Sequence, residues 1–328
     1  MLILWILVFV ASIFLLLKAS DYFTDSAEKI GVFFGIPAFI VGVTIVSVGT
    51  SLPELVSSII AVLQDAPQIV IGNVLGSNIA NVFLVLGVSA IIGKRLKITY
   101  ELIHVDLPLF VGSALLLAVT VWDGNFTLIE ALLCLICFVV YIHYTLNTEK
   151  SHYDKQIKKE MKGIIKKAKK EIKKVDNNKT ISAKTWIILI VSAFFIYLGA
   201  RYTGESVIKL SQLLNIASAT IALSAVAFGT SLPELAVSVT AARKGKVEIA
   251  VGNVLGSNIF NALAVMGVPA LIGTLVIPAH VISFGLPMML VATVLYAFMT
   301  LGREVTKWEG WVLILFYVFF IGKLFALL

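Results

Sequence analysis

The stretch "GTSLPEL", from Gly49 to Leu55, lies inside a long apolar run and recurs unchanged from Gly229 to Leu235. Each copy places a proline beside a carboxylate where an uninterrupted apolar helix would otherwise be expected. Proline removes a backbone donor and disturbs the carbonyl four residues earlier, and a carboxylate buried in a membrane segment costs at least about 2.5 kcal/mol. A feature this costly that occurs twice indicates a functional site.

The composition around the motif is that of a polytopic membrane protein. The 328 residues are 59% hydrophobic and 14% charged, whereas soluble domains are roughly half apolar and a quarter charged. Apolar runs of about 18 residues or more, enough to cross a bilayer, recur along the chain. They are too long for β-barrel strands of about 10 residues. The sequence therefore predicts an all-α membrane protein with ten spans, at about 2–18, 37–63, 69–93, 103–121, 125–147, 184–203, 217–242, 247–273, 279–300 and 308–327.

Basic residues are distributed in a way that predicts orientation. Of the 26 Lys and Arg, 13 are lysines between Lys150 and Lys184. The positive net charge of +7 is therefore concentrated in one loop, which does not indicate a nucleic-acid-binding face. Basic residues follow the third, fifth, seventh and ninth predicted spans, and the loops after the second, fourth and eighth contain none. Because basic loops stay in the cytoplasm, we expect both termini outside and loop 148–183 inside.

The two halves of the chain repeat each other. "GNVLGSNI" occurs at Gly72–Ile79 and Gly252–Ile259, at the same shift of 180 residues as "GTSLPEL". The predicted domains are a five-helix repeat at 1–147 with its core at 40–93, the cytoplasmic loop at 148–183, and a second repeat at 184–328 with its core at 220–273. Because five is odd, the second repeat enters the membrane from the opposite side. Inverted repeats are typical of secondary transporters, which bind substrate at the midplane.

The repeated residues indicate an all-oxygen cation site. Thr50 lies four residues before Glu54, so both share a helix face, and Ser51 adds a hydroxyl. The second copy supplies Thr230, Ser231 and Glu234. Helix breaks would free backbone carbonyls, which suit Na⁺ or Ca²⁺, and they are predicted at Gly49, Pro53, Gly229 and Pro233. A structural kink, its carbonyls satisfied by hydroxyls, is the alternative for the prolines alone.

The second motif places a polar stripe on each following helix. Asn73, Ser77 and Asn81 follow at steps of four, as do Asn253, Ser257 and Asn261 in the second half. Interhelical hydrogen bonding is the favoured interpretation for four of the amides, Asn73, Asn78, Asn253 and Asn258. The deeper Asn81 and Asn261 are the better candidates to face the carboxylates.

Two copies of G-T-S-L-P-E-L and of G-N-x-x-G-S-N, in an inverted five-helix repeat, resemble the α-repeats of the sodium/calcium exchanger family of calcium/cation antiporters. The motifs cover residues 40–93 and 220–273, and the short loop resembles the prokaryotic type. The resemblance implies a transporter and not an enzyme: a cell-membrane antiporter that exchanges Ca²⁺ for Na⁺ by alternating access, usually three Na⁺ for one Ca²⁺. It implies no permanently bound cofactor.

The resemblance also implies the ligands. Ca²⁺ would be held by two shared carboxylates and two threonine carbonyls, from Glu54, Glu234, Thr50 and Thr230. Na⁺ would use flanking sites of serine hydroxyls and one backbone carbonyl, Ser51, Ser77 and Ser47 in the first half and Ser231, Ser257 and Ala227 in the second. Asn81 and Asn261 would line the centre.

Asn261 departs from some relatives, which carry Asp there, including those that also move K⁺. With Asn in both halves the centre has two formal negative charges, so we expect no K⁺ co-transport. Three Na⁺ would exceed that charge by about one, which favours electrogenic exchange. Proton-coupled Ca²⁺ or Mn²⁺ antiport on the same fold remains open, because a carboxylate pair can carry protons. A passive cation channel is disfavoured by a closed polar core.

Other expected partners are few. The lysine-rich loop can form a basic amphipathic helix on anionic lipid, or serve as a solvated linker that fixes orientation. Ten spans without a large extramembrane domain favour a monomer in the bilayer.

Overall fold

A computed structural model describes residues 2–98, 106–145, 182–213, 231–279 and 281–324, which are mostly helical. Almost all of the predicted lysine-rich loop lies outside these ranges, as do residues 214–230. Seven of the helices are long and apolar enough to cross a membrane. The helices, in chain order, are α1 Leu2–Phe34, α2 Ala38–Leu63, α3 Gln68–Gly93, α4 Asp106–Thr120, α5 Leu128–Thr145, α6 Ala183–Leu213, α7 Leu232–Arg243, α8 Val247–Ala270, α9 Val281–Leu301 and α10 Lys307–Leu324.

The first and sixth helices extend well beyond the predicted spans at 2–18 and 184–203, because α1 continues to Phe34 and α6 to Leu213. The prediction ended α1 where charged residues begin. Those residues share the helix with a buried apolar face that includes Phe23, Ala27 and Ile30, so the helix continues as an amphipathic one. The two long helices pack on each other, and the hydroxyls of Ser12 and Thr203 lie 2.9 Å apart.

An ion-pair cluster ties the second half of α1 to the turn between α7 and α8. Lys244 Nζ lies 3.1 Å from Asp21 and 3.0 Å from Asp25, and Lys246 pairs with Asp25 and, at 2.8 Å, with Glu28. Burial alone would lower the pKa of Lys246, but its hydrogen bonds to Asp25 and Glu28 outweigh burial and raise the pKa above its ordinary value. Lys246 therefore stays charged in the neutral pH range.

Helix α8 forms the centre of the molecule. Its membrane-spanning segment is 100% buried, whereas that of α1 is 17% buried. Small residues let α2 approach it closely: a Cβ added to Gly42 would lie 2.6 Å from the Ile249 carbonyl oxygen, and Gly252 and Gly256 face the α2 backbone in the same way. This contact brings the first motif beside the second half of the chain.

Several helices contain π-helical turns, which sequence periodicity did not predict. One lies in α2 at Gly42–Val46 and another begins α9 at Val281–Gly285. Two more, Asn81–Leu86 in α3 and Asn261–Val265 in α8, begin at asparagines related by the 180-residue shift. Such turns occur frequently at functional sites.

Four short strands form two pairs that are related by the same 180-residue shift. Strand β1 (Arg95–Lys97) pairs antiparallel with β4 (Glu304–Thr306), and β2 (Asn125–Phe126) pairs with β3 (Leu275–Val276). Arg95 opposes Thr306 and Leu275 opposes Phe126, so a shift of 180 residues maps one pairing onto the other. The two halves thus meet through equivalent contacts on both strand pairs.

The α2–α8 contact predicts a sharp difference between two Gly→Ala substitutions. Gly42→Ala forces a methyl group into the α8 backbone, and overpacking of this kind typically costs about 1–3 kcal/mol. Gly112→Ala in α4 is the matched control, because its Cβ meets open space and alanine favours a helix by about 0.5–1 kcal/mol. Thermal unfolding in detergent should show a lower midpoint for Gly42→Ala only. Equal midpoints would contradict the close contact.

Candidate cation site

Two buried carboxyl groups lie at the junction of the repeats. Glu54 of α2 is 1% exposed and Glu234, in the first turn of α7, is fully buried. Ser51, one helical turn before Glu54, lies 2.7 Å from a carboxyl oxygen of Glu234. The two carboxyl groups therefore lie in the same region inside the protein.

Polar side chains from opposite halves contact one another around these carboxyls. Ser51 Oγ donates a hydrogen bond to Glu234 Oε1 at 2.7 Å. The hydroxyls of Ser77 and Ser231 are 3.3 Å apart. Thr50 Oγ1 donates to Asn253 Oδ1 at 3.2 Å. The structure thus brings both motifs of each half into one polar cluster.

Several buried oxygens of the predicted site residues have no donor among the described residues. They are Glu54 Oε1 and Oε2, Glu234 Oε2, Ser257 Oγ, Asn81 Oδ1 and Asn261 Oδ1. Buried polar atoms are normally hydrogen-bonded. Carboxylate, hydroxyl and amide oxygens without donors are the ligands that hard cations such as Ca²⁺ and Na⁺ take, so the donor set fits the predicted cations.

Some predicted site residues are placed differently or lie outside the described ranges. The Thr50 hydroxyl has one proton and faces two acceptors at 3.2 Å, Asn253 Oδ1 and the carbonyl of Ser47. The Ser47 hydroxyl donates to the carbonyl of Val43. Ser47 is therefore already engaged within α2. Ala227, Gly229 and Thr230 lie outside the described residues.

The predicted helix breaks at Gly49 and Pro53 are wrong, because α2 remains α-helical from Ser47 to Leu63. A proline within a helix removes one hydrogen bond, and the helix on both sides can continue. The departure from α-helical geometry lies upstream, in the π-helical turn. Pro233 occupies the first turn of α7, where its missing donor would have had no helical partner.

The prediction that four asparagines form interhelical hydrogen bonds is confirmed. Asn73 Nδ2 donates to Ser58 Oγ at 3.1 Å, and its repeat mate Asn253 donates to Ser238 Oγ at 2.8 Å. Asn78 and Asn258 bond to each other's backbone carbonyls. The sequence analysis did not predict the partners Ser58 and Ser238, although they are related by the same 180-residue shift as the two motifs.

A groove of about 840 Å³ runs between α2, α5 and α6 and reaches Thr50, Pro53 and Pro233. Its lining is almost entirely apolar, with side chains such as Leu52 and Phe194. Among the described residues, this groove therefore offers few oxygen ligands for a cation.

Apolar spanning helices around a buried oxygen-rich cluster define a multi-pass membrane transporter for cations. The chain belongs to the sodium/calcium exchanger family, because the sequence profile described as "Sodium/calcium exchanger protein" matches residues 4–147 and 184–325. Between the two matched ranges lies the lysine-rich segment. Members of this family are transporters and not enzymes.

Individual relatives match over nearly the whole chain. The sodium/calcium exchanger MaX1 of Methanosarcina acetivorans is 35% identical over 97% of this chain and 98% of its own. The inner membrane protein YrbG of Escherichia coli is 28% identical over 92% and 90%. A solved structure of the sodium-calcium exchanger NCX_Mj, soaked with Na⁺ and Sr²⁺, is 28% identical with a TM-score of 0.82, covering 98% of this chain and 99% of that one.

The Ser51–Glu234 bond predicts a measurable stability difference. Ser51→Ala leaves another carboxylate oxygen without a donor, which should destabilise the ion-free protein by about 1–3 kcal/mol. Ser89→Ala is the control, because the buried Ser89 hydroxyl has no partner among the described residues. Thermal unfolding without Na⁺ and Ca²⁺ should show a lower midpoint for Ser51→Ala and an unchanged or higher one for Ser89→Ala. A neutral Ser51→Ala would contradict a structural role for the bond.

Proposed function

We propose that this chain exchanges Ca²⁺ for Na⁺ by alternating access, with Glu54 and Glu234 as the ligands that the two ions share. The observation that carries the proposal is the cluster of buried carboxylate, hydroxyl and amide oxygens, many without donors, where the two motifs meet. Membership of the exchanger family and the similarity to the sodium/calcium exchangers MaX1 and NCX_Mj support the same substrates.

The ligand assignment follows the sequence resemblance and is compatible with the geometry. Ca²⁺ would bind the two carboxylates and threonine carbonyls, and Na⁺ the flanking serines. The unpartnered oxygens of Asn81, Ser257 and Asn261 support their inclusion. The Ser47 carbonyl faces the Thr50 hydroxyl and, within the α-helix, the backbone N–H of Ser51, so it would have to release one of these donors to bind an ion.

Charge at the site favours electrogenic exchange without K⁺. Two carboxylates match the charge of one Ca²⁺, whereas three Na⁺ carry about one charge more. Asn261 contributes an amide where some relatives have a third carboxylate. Both ions would be transported substrates, with no permanently bound cofactor.

The proposed architecture is ten spans in two inverted five-helix repeats, 1–147 and 184–328, joined by the loop at 148–183. The exchange of strand partners under the 180-residue shift supports two-fold related halves. The distribution of basic residues supports external termini and a cytoplasmic loop. We propose a monomer in the cell membrane, with anionic lipid as the partner of the lysine-rich loop.

Proton-coupled exchange of Ca²⁺ or Mn²⁺ is the second candidate. A buried carboxylate pair can exchange protons, and both oxygens of Glu54 are without a hydrogen-bond donor in the described part of the chain. The serine and threonine hydroxyls around the carboxylates favour Na⁺, because protons need no such cage. A passive channel would conduct without a counter-ion.

Flux measurements separate these candidates. Purified protein in proteoliposomes should take up radioactive Ca²⁺ when an outward Na⁺ gradient is imposed. Uptake should generate a membrane current and should not respond to a pH gradient alone. Uptake driven by the pH gradient would favour proton coupling, and single-channel currents would contradict antiport.

The same assay tests the carboxylates. Glu54→Gln and Glu234→Gln should each abolish uptake, because each removes one of the two charges that balance Ca²⁺. Glu205→Gln is the matched control, since the Glu205 side chain in α6 is 41% exposed and pairs with Arg201 at 2.9 Å, and it should transport normally. Normal exchange by either site variant would refute the assignment.

A further inference from the structure

Asn78 of α3 and Asn258 of α8 form a reciprocal pair between the two halves. Each donates a hydrogen bond from its side-chain Nδ2 to the backbone carbonyl of the other, at 3.3 Å in both directions. Their positions differ by the repeat shift of 180 residues, and each is only 3% exposed. In their backbone contacts the two residues are equivalent.

The oxygen ends of the two amides are not equivalent. Asn258 Oδ1 accepts a hydrogen bond from Asn81 Nδ2 at 2.9 Å. The repeat-related bond from Asn261 to Asn78 is not formed: Asn78 Oδ1 and both side-chain polar atoms of Asn261 lack partners within the described ranges. Asn258 therefore fixes a neighbouring amide, and Asn78 does not.

The direction of the Asn81 amide decides what it can bind. Its oxygen is an acceptor suited to a cation, and its nitrogen is a donor that would bond to a carboxylate. Because Asn258 holds the nitrogen, the oxygen of Asn81 is the free end of the side chain. Without Asn258 the amide could turn over and present its N–H groups, which do not bind a cation, where its oxygen now lies.

We propose that Asn258 is a positioning residue that keeps the amide oxygen of Asn81 available to the transported cation. This inference rests on the proposed function and extends it to a residue outside the predicted ligand set. Hydrogen bonds that orient a metal ligand commonly change metal affinity 10–100-fold, roughly, when they are removed.

Three variants in the Na⁺-driven uptake assay test the role. Asn258→Leu removes the acceptor and should raise the half-saturating Ca²⁺ concentration about 10–100-fold, with the maximal rate little changed. Asn258→Gln keeps an uncharged amide oxygen that can accept from Asn81, and it should shift the half-saturating concentration less than Asn258→Leu. Asn78→Leu, the matched control, loses the same backbone bond but no bond to Asn81, and it should also stay near the wild type.

The outcomes separate positioning from packing. Equal shifts in Asn258→Leu and Asn78→Leu, or an Asn258→Gln variant as impaired as Asn258→Leu, would show that the pair only joins the helices. If Asn258→Leu does not yield monodisperse protein, Asn258→Ser repeats the test, because serine is too short to reach Asn81. Absence of Na⁺-driven uptake by the wild type would instead overturn the proposed function, and this inference with it.

Discussion

The structure depends on placing two carboxyl groups together in the interior of a membrane protein. Like charges repel and burial removes their hydration, so Glu54 and Glu234 require compensating partners. The chain supplies one hydroxyl directly, from Ser51 to Glu234, and leaves other carboxylate oxygens without donors in its described part. A cation bound between them would supply the missing stabilisation. The two buried carboxyl groups thus need a positive charge, which the transported cation would supply.

The repeat explains how one short motif can build such a site. Each half contributes a carboxylate helix and an asparagine helix. Contacts across the junction join unlike helices, as between Thr50 and Asn253, and also like helices, as between Ser51 and Glu234. Equivalent strand pairings and the reciprocal Asn78–Asn258 bonds keep the halves in register. The side-chain hydrogen bonds of the two halves nevertheless differ. The amide of Asn81 has a partner, and the equivalent amide of Asn261 has none in the described ranges.

The site was more predictable from sequence than the helix geometry. Doubled motifs identified Glu54, Glu234 and their polar neighbours because identical letters at a fixed shift require no knowledge of packing. The π-helical turns at Asn81 and Asn261 could not be predicted from the sequence. Such a turn has one residue more than an α-helical turn and has no distinctive composition. The extension of α1 past Lys18 was missed because its charges form ion pairs with Lys244 and Lys246, more than 200 residues away. The presence of Pro53 also led to the incorrect prediction of a helix break, because α2 continues through it.

The central claim is that the two repeats hold one divalent cation between Glu54 and Glu234. Anomalous X-ray diffraction from crystals soaked in Sr²⁺, a heavier analogue of Ca²⁺, locates such an ion directly. The account predicts the strongest protein-bound peak between the two carboxyl groups, and its loss when Na⁺ replaces Sr²⁺. A peak confined to other residues, with Glu54 and Glu234 still buried together, would contradict it.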